Sequence, residues 1–202
     1  MKRFKFEEIL ESEFRWPTAG DVPFVAAADA MANANIAKDE FTRLVLMTDG
    51  YKKAADLMVE HATSNPAERD YLVCPIIFNY RQFIELSLKY VIATYGHTVG
   101  IEPIWKSHDL ARLWQIFAEL LQRYGTSDPD DADPIVSEVV AEFAKIDPGS
   151  YSYRYPVDTH GQPIPITYED LYLPTLADVI NGVAGYFSGT DGYLSDLQGA
   201  RP

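Results

Sequence analysis

Arg81, Glu85 and Lys89 recur at i, i+4 and i+8. On a helix they share one line, so they can pair with one another or present a row of charge to a ligand. Two readings fit. One is the wall of a cleft for RNA or a nucleotide. The other, which is the expectation, is a salt-bridged stripe on the exposed side of a mostly buried helix, each exposed pair contributing under about 1 kcal/mol. Ser107, His108 and Asp109 stand where another helix begins. Its free N–H groups could hold a nucleotide phosphate. The expectation is plainer: Ser107 caps the helix, Asp109 suits its positive end, and His108 packs against the central helix. Tyr151, Tyr153 and Tyr155 could stack on unpaired bases. Only Arg154 interleaves as a cation, so they are expected to cover a face of the fold or a dimer contact.

Several chemistries are missing from the sequence. His61, His97, His108 and His160 share no ligand spacing, so no metal site is expected. Cys74 is the one cysteine, which rules out an internal disulfide and a cysteine zinc cage. It lies in an apolar run and is expected to be a buried small hydrophobe. Asp128 to Pro134 is rich in aspartate but lacks the Gly and terminal Glu of a calcium loop, so it reads as a solvated acidic linker. There is no phosphate loop, dinucleotide fingerprint or nucleophile elbow, and no cofactor is expected.

The 202 residues are a prior of one main domain, with 47% hydrophobic and 23% charged residues, ordinary for a globular chain. The formal charge of −13 argues against a broad DNA-binding groove. The first residues carry positive charge with no apolar run behind them, so they do not read as a secretory signal. No window approaches about 18 uncharged apolar residues, so no membrane span is expected and the address reads as cytoplasmic.

The elements that must position these residues are helical. Residues 1–37 read as an N-terminal arm broken by prolines, with Phe24 to Ala37 a candidate short helix. Residues 38–62 carry apolar positions three and four apart. Asn65-Pro66 signals a new start, and Pro75 should kink the next helix or begin a new segment. From Pro75 to Tyr95 the chain is apolar on most faces, which marks a central helix. Leu110, Leu113, Trp114, Phe117, Leu120, Leu121 and Tyr124 form a third stripe. Asp133-Pro134 starts a fourth helix, whose buried face is Ile135, Val136, Val139, Val140, Phe143 and Ile146. The alternation at 150–155 has strand period, and Asp158 to Gly161 reads as a turn, so a Tyr-rich loop or β-hairpin is expected there. Thr167 and Asp170 suggest a weak capping box. A last helix follows, through Leu176, Val179, Ile180, Val183 and Phe187, ending near Gly189, with 190–202 a tail. The sum is an all-α bundle of about five helices over 38–189.

Three segments carry a family likeness: Arg81 to Lys89, with its E-x-x-L-K; Ser107 to Trp114, with its H-D-L; and Tyr153 to Asp158 followed by a Gly. Together they resemble the HEPN superfamily of small helical bundles, above all the HEPN-like proteins of bacterial defence and mobile-element loci. The likeness spans roughly residues 38–187 by pattern. It implies a homodimer and, in many members, a metal-independent ribonuclease with Arg a few residues before His. Here the matching pair is Arg154 and His160. His would move protons as the RNA 2′-OH attacks its phosphate, and Arg would hold the developing charge. Arg81, Glu85, Lys89, His108, Asp109 and Tyr153 would support them. Pro156, Gly161 and Tyr155 depart from the family pattern. The expectation is therefore a non-catalytic module binding a protein or nucleotide partner, with the ribonuclease as the alternative. Gly182 and Gly185 on an apolar last helix would permit close packing in a dimer.

Overall fold

A computed structural model describes residues 15–128 and 131–200. The expectations about the first residues, about residues 129 and 130 of the acidic linker, and about the last two residues of the tail lie outside them. The described residues divide into two units, ending and beginning at Ile36 and Ala37.

In the first unit Asp21 accepts hydrogen bonds from the Thr18 backbone and hydroxyl, closing a turn. The short helix expected over Phe24 to Ala37 shrinks to one 3-10 turn, Ala30–Ala32, capped by Asp29. No residue of that turn is buried, so no apolar face exists to hold a longer helix.

The second unit is all-helical, with five α-helices and no strand among the described residues: α1 Glu40–Ser64, α2 Arg69–Tyr95, α3 Leu110–Tyr124, α4 Ala132–Ile146 and α5 Leu173–Gly199. Asp39 caps α1 by accepting from the Thr42 N–H at 2.7 Å. Asn65 ends it, and Pro66 opens the 3-10 turn that leads into α2. Pro75 lies inside α2 without ending it. It costs one helical hydrogen bond, to the carbonyl of Tyr71, and both residues are exposed enough to leave that carbonyl to water.

Beyond Pro75 almost every turn of α2 is buried, and α1, α3 and α5 all pack on it. The α3 stripe is buried from Leu110 to Tyr124 apart from a partly covered Trp114. Phe117 meets Phe187 of α5 edge-on at 5.9 Å, and Phe187 meets Phe83 of α2 at 6.3 Å, joining three helices in one aromatic cluster.

Four expectations about the bundle change. Asp109, not Ser107, caps α3, accepting from the Arg112 N–H at 3.1 Å, while the Ser107 hydroxyl accepts from the Asp109 N–H at 3.3 Å. The acidic stretch does not run to Pro134 as a linker: α4 begins at Ala132, one residue before the expected Asp133-Pro134 start, and its first N–H groups bond the Asp128 carboxylate. Ile135, in the first turn of α4, points to solvent. The tail expected from 190 is helical to Gly199, because fully buried Leu194 extends the stripe of Phe187 by two turns.

Between α4 and α5 the strand expected at 150–155 is a turn: the N–H groups of Arg154 and Tyr155 both bond the Tyr151 carbonyl at 3.0 Å. Of the hairpin, a single antiparallel bridge remains, Val157 with Pro163, closing over Asp158 to Gly161. Two prolines flank it and withhold the donors a longer ladder needs. Thr167 and Asp170 stay in the loop, and α5 starts only at Leu173.

Candidate functional site

The charged line of α2 is not exposed. Arg81 is 0%, Glu85 1% and Lys89 4% accessible, which overturns the expected surface stripe and leaves no cleft wall either. Helical spacing put the three on one line. Two loops then covered that line: the one before α3 and the one after α4.

The contacts form a closed set. Glu85 stands between its two helix neighbours, one carboxylate oxygen 2.8 Å from Arg81 Nη1 and the other 2.8 Å from Lys89 Nζ. Arg81 Nη2 donates to the His108 carbonyl at 2.6 Å, and Nε to the Asp147 carbonyl at 3.1 Å. Lys89 Nζ donates to the Trp105 carbonyl at 3.0 Å. Asp147 is itself fully buried, its Oδ2 3.2 Å from Arg81 Nε. That N–H is aimed at the carbonyl, so Oδ2 is held by charge and is the one fully occluded side-chain polar atom lacking a hydrogen bond among the described residues. Asp147 Oδ1 accepts from the N–H groups of Tyr151 and Ser152 at 2.8 and 3.0 Å.

Two cations thus face two carboxylates. Burial of a charge is affordable only when it is paired and hydrogen-bonded, and this set meets that condition. Burial on its own would push the Glu85 carboxyl up; Lys89 and Arg81 outweigh it and hold it below the ordinary glutamate value.

His108 is where the set reaches solvent. Its ring Nδ1 lies 2.9 Å from Glu85 Oε1, and its side chain is 56% exposed. An ionised carboxylate only accepts, so Nδ1 carries the proton of that bond. Nε2 has no hydrogen bond among the described residues. A carboxylate that orients an imidazole is half of a proton-transfer unit. Among the described residues His108 bonds no hydroxyl or thiol, and Arg81 and Lys89 are consumed in holding loops.

The structure brings together Arg81, Glu85, Lys89 and His108, while Asp109 caps the helix that follows. Arg154 is exposed, its guanidinium over the rings of Phe78 and Tyr155 at 5.5 and 5.7 Å. His160 is exposed on the tight turn, its N–H bonded to Asp158 at 2.8 Å. No hydrogen bond or ion pair joins Arg154 to His160 among the described residues. Tyr153 is partly buried against the core, and burial, then the nearby Cys74 and Asp147, push its phenol up. Cys74 is exposed rather than buried, because it lies in the α2 segment before the core begins at Ile76. Gly182 and Gly185 are exposed on α5, and a Cβ at either would meet nothing within 4 Å. Among the described residues no cluster of His, Cys, Asp and Glu could hold a metal ion, and no helix is long and apolar enough to cross a membrane.

Asp147 is the member of the charge set that the spacing of charges missed. Its signal was local: Asp147-Pro148-Gly149 directly after a helix is a turn whose carboxylate can serve the next N–H groups. No protein-family model, no curated protein and no solved structure matches the chain.

Proposed function

We propose that this chain is a HEPN-like helical bundle acting as a non-catalytic binding or regulatory module, as a homodimer, for a protein or nucleotide partner in a bacterial defence or stress setting. The observation that carries the reading is the closed charge set: Arg81, Glu85 and Lys89 spend their charge on Asp147, His108 and backbone carbonyls, leaving none of the three for a substrate. The motif that resembles the family therefore works as a clamp on the loops before α3 and after α4. The overall charge of −13 favours a protein partner over a nucleic acid.

The second reading is a metal-independent ribonuclease using Arg154 and His160. One observation favours it: both side chains are exposed on the same inter-helix segment, where a second copy could complete a cleft. The experiment that separates the readings is incubation of the purified protein with labelled total RNA and a tRNA pool in EDTA, beside the Arg154→Ala/His160→Ala variant. Intact RNA with folded protein is the expected result. Cyclic-phosphate ends produced by the natural chain and lost in the variant would replace the module with the nuclease.

A further inference from the structure

A cavity of about 260 Å³ lies where α1, α2 and α5 meet, apart from the charge set. Each helix presents it one face. Val45, Thr48 and Lys52 come from α1, Phe83, Ser87 and Tyr90 from α2, and Ala184, Phe187 and Asp191 from α5, all at helical spacing. The gap exists because Thr48, Ser87 and Ala184 stand where larger side chains would fill a three-helix junction.

Ser87 is the unusual member. It is only 5% accessible, yet its hydroxyl makes no hydrogen bond among the described residues. Thr48, by contrast, returns its hydroxyl to the Leu44 carbonyl at 2.8 Å. The one fully occluded side-chain polar atom left unbonded among the described residues belongs to Asp147, so the Ser87 hydroxyl keeps solvent contact, and the cavity it lines supplies that contact. A hydroxyl with no partner in the fold and an open side toward the cavity is free to bond a ligand placed there.

The charge around it is negative. Lys52 is already engaged by Asp56 at 2.8 Å and Asn181 at 2.6 Å. Asp191 accepts from Tyr95 at 2.7 Å, and Asp49, at the cavity wall, has no hydrogen bond or ion pair among the described residues. In the cavity's own lining, two carboxylates, Asp49 and Asp191, stand with one ammonium, Lys52, whose charge Asp56 outside the lining already pairs. The walls between them are the rings of Phe83, Tyr90 and Phe187, whose faces attract cations.

We propose that this cavity is a binding site for a small organic cation, a primary amine on an apolar body. The ammonium lies between the Asp49 carboxylate and the Ser87 hydroxyl, and the body lies against the aromatic walls. The volume is below the roughly 300–1,000 Å³ of sites for drug-sized ligands, which selects a short amine. The site is independent of the RNA reading, since it shares no residue with Arg154, His160 or the charge set.

The test is an amide-resolved NMR titration of the full chain with phenethylamine, and separately with 3-phenylpropionate, which keeps the ring and reverses the charge. Saturable shifts at Val45, Ser87 and Ala184 with the amine, and none with the acid, are expected. Asp49→Asn should weaken binding about tenfold, a substitution at an exposed residue that leaves the spectrum dispersed. Ser87→Ala should weaken it less while the amine still saturates. No saturable shift, an equal response to the acid, or unchanged affinity in Asp49→Asn would each overturn the site.

Discussion

Arg81 and Asp147, 66 residues apart in the chain, meet twice in the core: Arg81 Nε lies 3.1 Å from the Asp147 carbonyl and 3.2 Å from its Oδ2. The same guanidinium holds Glu85 and the His108 carbonyl. One side chain on the central helix thereby anchors the loop that enters α3 and the loop that leaves α4. Neither loop has a sheet or a disulfide among the described residues, and these ionic contacts tie both to α2, beside the Gln82–Ser150 hydrogen bond.

Removing one partner of a buried set leaves an uncompensated charge. Glu85→Gln should therefore destabilise the fold by about 3–5 kcal/mol, read from urea unfolding. A loss within about 1 kcal/mol of zero would mean that Arg81 and Lys89 find water in the folded state.

The Glu85 carboxyl is held below its ordinary value of 4.5. A group whose folded value is depressed stabilises the fold above its unfolded value, and that contribution falls away as pH drops through the folded one. The stability gap between the natural chain and Glu85→Gln should thus be full at neutral pH and narrow below about pH 4.5. A gap constant from pH 7 to pH 3 would remove Glu85 from the acid response.

Arg154 stacks on Phe78 without a carboxylate partner among the described residues. Arg154→Ala should cost only about 0.5–1 kcal/mol and leave the helical circular dichroism unchanged. A larger loss would make Arg154 part of the scaffold, and the RNA assay would then need a charge-retaining Arg154→Lys control.

Two glycines should respond with opposite sign. A Cβ at Gly96 would stand 2.4 Å from the Ile101 carbonyl oxygen, and backbone cannot swing aside, so Gly96→Ala should cost about 1–3 kcal/mol. At Gly50, inside α1, a Cβ meets nothing within 4 Å. Gly50→Ala should stabilise by about 0.5–1 kcal/mol through helix propensity alone. Thermal unfolding of both variants reads the two signs.

Leu194 is fully buried in the segment whose composition suggested a tail. Leu194→Ala should cost about 2–5 kcal/mol, and a chain stopped at Gly189 should lose cooperativity in thermal unfolding. An unchanged transition would return 190–199 to the role of an appendage.

What was legible beforehand was local. The apolar stripes of α1, α2, α3 and α5 run at 3.6-residue spacing whatever they pack against, so helix number and most buried faces could be read directly. The alternating tyrosines misled because period two also fits a turn, and here Asp147 takes the N–H groups that would have started a strand. The helix wheel placed Arg81, Glu85 and Lys89 on one line but could not say whether water or a loop would cover it. That depended on Asp147 and two distant carbonyls, contacts that exist only once the chain has closed. The cavity beside Ser87 has the same origin: three small residues are unremarkable on three separate helices and leave a space only where those helices cross.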